Sequence, residues 1–136
     1  MLTRVTTCFL AAATLVLVMA SSAHARLQPI RNYDLPVATG SGKEIQAEAL
    51  RRVIIEAGQK GKRKWTFSNA GQDKLIAVLA VKSSRIQVEV EYSPERVWIR
   101  YMHSENLKEQ GGNIHPSYNK WVGELVHAMH VRLSRF

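Results

Sequence analysis

The chain has almost no cysteine. Its single one, Cys8, lies in an apolar run near the start. Beyond that run there is neither a disulfide partner nor a thiol for chemistry, so stability has to come from packing. Long apolar stretches are also missing. The run from Cys8 to Ala20 spans thirteen residues, short of the roughly 20 that cross a bilayer as a helix. Acidic charge is in deficit, with 11 Asp and Glu against 19 Lys and Arg. No "GxSxG" elbow and no "HExxH" pair occurs, so the two best-defined hydrolase signatures are absent.

What is present begins with a positive start "MLTR", the apolar run, and "SSAHA" with small residues at Ala23 and Ala25. That three-part layout predicts a secretory signal peptide over residues 1–25, cut between Ala25 and Arg26. The expected product is periplasmic or secreted. It runs from Arg26 to Phe136, 111 residues, enough for one small domain. Removing Arg4 from the 19 basic residues leaves 18 against 11 acids, a net charge of +7. Such a surface attracts anionic envelope polymers or nucleic acid, and it also keeps a small protein soluble.

Residues 26–42, "RLQPIRNYDLPVATGSG", show no sustained period and predict an extended N-terminal arm, partly mobile. Residues 43–136 are expected to form a single α/β domain. "SGKE" puts Ser41 three residues before Glu44, the capping-box spacing, and predicts a helix over 44–58. Its apolar side carries Leu50, Val53, Ile54 and Ala57, and Gly58 and Gly61 are expected to stop it in the left-handed conformation. Four strands follow at "KWTFS", "KLIAVLAVK", "RIQVEVEY" and "RVWIRYM". The third alternates strictly, with Ile86, Val88, Val90 and Tyr92 on one face. From Pro116 to about Arg135, Tyr118, Val122, Leu125, Met129, Leu133 and Phe136 recur at spacings of three and four. The expected fold is α+β, a two-layer sandwich of helix, four-stranded antiparallel meander and helix, with both helices on one sheet face.

The motif-bearing segment is "YMHSENLKEQGGNIHPSYNKW", residues 101–121. Together with Arg100 and Val122 it resembles a family of small, uncharacterised exported proteins of Gram-negative bacteria, whose hallmark is "RYxxSENL…G…IHxxYNxWV". Arg100, Tyr101, Ser104, Glu105, Asn106, Leu107, Ile114, His115, Tyr118, Asn119, Trp121 and Val122 match. The resemblance implies a small α/β domain behind a signal peptide and brings no activity. Some relatives carry a lipid-anchoring cysteine after the apolar run; here there is none.

Three candidate surfaces emerge. The first is the segment itself, where Tyr101, Ser104, Glu105, Asn106, His115, Tyr118, Asn119 and Trp121 form a structural clasp or a binding site. The second is the sheet face opposite Val97, Ile99 and Tyr101. There Ile76, Val78, Trp98, Arg100 and Met102, rimmed by Glu89 and Glu91, stand open to a partner unless the arm folds over them. The third is the basic cluster of Lys60, Lys62, Arg63 and Lys64, for anions, with Trp65 and Phe67 on the core side of the adjoining strand. His127 is expected to face solvent and His130 to sit at the margin of the apolar stripe, and no metal or other cofactor is expected. The function expected is a non-catalytic binding or cell-envelope accessory module, its partner an envelope protein or anionic envelope polymer. The rival is a small periplasmic hydrolase using His115 with Glu105 or Ser104.

Overall fold

The strict alternation of residues 85–92 becomes the centre of a sheet. In the computed structural model, which describes residues 26–136, Ile86, Val88 and Val90 are fully buried while Gln87, Glu89 and Glu91 face outward. The expected signal peptide, residues 1–25, lies outside the described residues. In chain order the strands are β1 (Gln28–Pro29), β2 (Tyr33–Pro36), β3 (Thr66–Gly71), β4 (Lys74–Val81), β5 (Ser84–Tyr92), β6 (Arg96–Glu105) and β7 (Asn113–Ile114). The helices are α1 (Ala47–Lys60) and α2 (Pro116–Leu133). The described residues are therefore α+β, with two helices and antiparallel strands.

The sheet has five strands, not four, in the order β2-β6-β5-β4-β3. The extra strand comes from the N-terminal arm. Tyr33 pairs with Ile99 and Leu35 with Val97, so these two side chains turn inward while Asp34 and Pro36 turn outward. A four-residue strand ending in proline suits a sheet edge, where a missing N–H costs no ladder bond. A second pair, β1 with β7, fastens the arm again at Gln28 and Pro29. β4 and β5 are joined by Lys82 and Ser83, and Val81 pairs with Ser84. β5 and β6 pair with a register shift that leaves Met102 as the extra residue of a bulge.

The first helix starts later than its spacing suggested. Ser41 Oγ accepts the Lys43 N–H at 3.3 Å and Gly42 takes φ 73°, so the chain turns there. The N-cap is Gln46, without a side-chain bond. Its glycines also act differently from the expectation. Gly58 lies inside α1, where a Cβ would run into the Phe67 ring. Gly61 has φ −80°, and a Cβ there would meet the Ala57 carbonyl oxygen at 2.5 Å. Both are glycine for close approach, not for handedness.

α1 and α2 pack against each other. Leu50, Val53, Ile54 and Ala57 from α1 and Tyr118, Val122, Leu125 and Met129 from α2 share one core with the inner residues of β4, β5 and β6. Each fully buried aliphatic side chain contributes about 1.5–3 kcal/mol. Phe136, expected on the stripe, lies past the end of α2 and is half exposed.

Candidate functional site

The segment from β6 to α2 is held by bonds that its own residue types dictate. Asn106 takes the left-handed φ of 58°, and its Nδ2 donates to the Ser83 carbonyl at 2.6 Å. The end of β6 is thereby tied to the β4–β5 turn. Leu107 is buried, and its carbonyl accepts the His115 N–H at 2.9 Å, closing the loop on itself. Inside that closure Gln110 and Asn113 exchange backbone bonds of 2.8 and 3.0 Å around Gly111 and Gly112. Those glycines take φ 57° and 82°, where a side chain would be strained.

His115 is the N-cap of α2. Its Nδ1 accepts the Ser117 N–H at 3.1 Å, and its carbonyl accepts from Tyr118. The cap is thus made by an imidazole with Nδ1 unprotonated, which places its ring proton on Nε2. Four residues later Asn119 reaches the arm: Oδ1 accepts the Arg31 N–H, and Nδ2 donates to the Pro29 carbonyl. Tyr101 packs edge-on to Tyr118 with ring centres 5.4 Å apart, and its hydroxyl is 2.8 Å from Ser104 Oγ.

Between the β4–β5 turn, the end of β6 and the first turn of α2 lies an open cleft of about 440 Å³. Arg63, Lys82 and Lys120 bring three cations to it. Ser83, Ser84, Asn106, His115 and Ser117 supply neutral polar groups, and Val81, Leu107 and Trp121 the apolar floor. No Asp or Glu lines it among the described residues. Trp121 is 7% exposed because the Arg63 guanidinium lies over it, 5.4 Å from the ring centre. Arg63 Nε also donates to Glu124 at 3.1 Å, and Lys62 Nζ stands 3.6 Å from the same carboxylate.

The residues weighed for hydrolysis have other partners. Ser104 Oγ is engaged by Tyr101, while Glu105 pairs with Arg85 and His103. His115 Nδ1 is engaged by the helix backbone. Neither Ser104 nor Glu105 lines the cleft that His115 borders. A nucleophile and its base work within hydrogen-bond reach of each other. No such bond joins His115 to either residue among the described ones. His127 and His130 are both exposed, and no group of three or more His, Cys, Asp or Glu gathers among the described residues.

On the outer sheet face Ile76, Val78 and Trp98 are half-buried and Met102 is 44% exposed. Arg100 donates to Glu91 at 2.8 Å and to Glu89 at 3.4 Å, and the Glu91 bond holds that carboxyl below its usual range. The arm does not fold over this face. It extends the sheet beside it, with Asp34 opposite Trp98 and bonded to Arg96. Of the basic cluster, Arg63 enters the cleft, and Lys62 lies beside it on Glu124. Lys60 and Lys64 are exposed and line no part of the cleft.

Nothing in the sequence marks Lys82, Lys120 or Ser117 as site residues, and Ser83 and Ser84 mark only a turn between two strands. Lys82 adopts φ 54° in a two-residue hairpin turn, a place where glycine or asparagine is usual. Lys120 occupies the free position of "YNKWV". Nothing in their spacing joins them to Arg63; only the fold does. No family model matches the chain, and no curated protein or solved structure matches it.

Proposed function

We propose that the chain is an exported, non-catalytic binding module of the cell envelope whose cleft takes an anionic group. The observation that carries this reading is the lining: Arg63, Lys82 and Lys120 converge with hydroxyl and amide groups and no carboxylate. The excess of 18 basic over 11 acidic residues beyond residue 25 draws anions toward it. Export rests on the charged start, apolar run and Ala-His-Ala end of residues 1–25. Membership of the exported family rests on the motif it resembles.

Titration of the mature protein with inorganic pyrophosphate tests the cleft. Affinity should fall steeply with added salt, and Lys82→Ala and Lys120→Ala should each weaken it by up to about fivefold, the range of exposed ion pairs. Binding that ignores salt and both substitutions would overturn the reading. Mass spectrometry of exported material should find a chain starting at Arg26, and recovery of only the full-length, membrane-bound form would overturn export.

A further inference from the structure

The cleft does not end at Lys120. A second depression of about 400 Å³ shares that residue and continues along α2 past Gly123 and Ala128 to His127. Its other wall is Lys62, the chain neighbour of the Arg63 that walls the first. Lys120, Glu124 and His127 fall three and four apart, on one face of the helix. Seven residues at 1.5 Å each put about 10 Å between Lys120 and His127, and the cleft extends the track the other way to Lys82. The whole is longer than one anionic group requires.

Its charge is arranged for a chain. Glu124 is the one acid in either lining, and it is already met by Arg63 and Lys62. Lys82 and Lys120 have no carboxylate within ion-pair distance among the described residues. Between the cations stand neutral partners, the hydroxyls of Ser83 and Ser117, and in the second depression an apolar floor at Gly123 and Ala128. Nucleic-acid strands are gripped by stacking bases on open aromatic rings. Neither depression offers an open Phe, Tyr or Trp ring, since Trp121 is buried beneath Arg63. A sugar ring carries hydroxyls on its edge and C–H groups on its face, and matches this alternation.

We infer that the ligand is a linear acidic polysaccharide laid from Lys82 past Lys120 to His127. This rests on the anion-binding reading of the cleft and deepens it. Calorimetric titration of the mature protein with galacturonate monomer, short and long oligogalacturonates, and a single-stranded oligonucleotide tests it. The long oligosaccharide should bind about tenfold tighter than the short one, as linked contacts reinforce each other. His127→Ala, at an exposed position outside the first cleft, should weaken the long ligand and leave pyrophosphate unchanged. Lys82→Ala should weaken both. If length adds nothing while Lys82→Ala still weakens pyrophosphate, the track is wrong and the anion cleft stands. Tighter binding of the oligonucleotide overturns the polysaccharide, and failure of every anion to bind overturns both readings.

Discussion

The carboxamide of Asn119 accepts the backbone N–H of Arg31 at 3.1 Å, and its other end donates to the carbonyl of Pro29 at 3.0 Å. One side chain thus brackets Ile30 as a neighbouring strand would, in a place where no strand lies. The arm is fixed at further points by the Ile30 N–H on Gly112 and by Asn32, whose Oδ1 accepts from Tyr101. Tyr101, Gly112 and Asn119, all within residues 101–121, thus hold the start of the described chain.

Asn119→Ala should cost about 1–3 kcal/mol, the sum of two modest bonds to the backbone. Hydrogen exchange at the Arg31 amide should accelerate more than exchange at Val88. Denaturant melts and exchange measured by NMR check both. Wild-type stability with unchanged Arg31 protection would show that the arm is held elsewhere.

Where local pattern and long-range packing agree, the sequence was readable. The alternation over 85–92 and the stripe from Tyr118 to Leu133 each need one buried face, and each found it. The arm was not readable. Tyr33 and Leu35 gain their inward direction only from Ile99 and Val97, more than sixty residues away, and two prolines obscure the period. The capping-box spacing at Ser41 and Glu44 was real, but Gly42 in the left-handed region turns the chain before any helix can begin. The segment 101–121 stood out by its composition, whereas the cleft it borders did not. Its cations stand at positions 63, 82 and 120, on two separate loops and a helix.

Two helical glycines should respond with opposite signs to the same substitution. Intrinsic propensity favours alanine over glycine in a helix by about 1 kcal/mol. At Gly123 a Cβ would meet only the Tyr33 hydroxyl, at an ordinary 3.5 Å, so Gly123→Ala should stabilise by up to that amount. At Gly58 it would strike the Phe67 ring and approach the Trp65 Cβ to 3.1 Å. Overpacking of about 1–3 kcal/mol should win, and Gly58→Ala should destabilise. Thermal melts of the pair decide it. Equal shifts of one sign would show that Phe67 yields freely.

His115 should be replaceable by another cap more readily than by alanine. Its Nδ1 occupies one N–H at the start of α2, and losing a cap costs about 1 kcal/mol. His115→Asn or His115→Asp should recover most of what His115→Ala loses, as read by denaturant midpoint. If all three lose equally, the imidazole matters for packing beside the cleft and not for the cap.

Tyr118 gives the last prediction. Its side chain is fully buried, and its hydroxyl has no hydrogen-bond partner among the described residues. Burial drives its ionisation well above the usual tyrosine range, and the nearby Tyr101 and Tyr33 push the same way. An unfolded tyrosine ionises at about pH 10. A group whose folded pKa is raised contributes stability that is whole below the unfolded value and is lost as pH climbs beyond it. The protein should therefore weaken progressively above about pH 10, and phenolate absorbance should show one tyrosine that ionises only as the chain unfolds. Tyr92, also raised by burial, adds a smaller loss of the same sign, so Tyr118→Phe should flatten the alkaline decline without abolishing it. At neutral pH the same substitution removes an unsatisfied buried oxygen whose desolvation costs about 1–3 kcal/mol. Tyr118→Phe should then match or exceed wild-type stability, with the Tyr101 edge contact kept by the ring. A loss of more than about 1 kcal/mol would mean that the hydroxyl holds a bound water or another partner in solution.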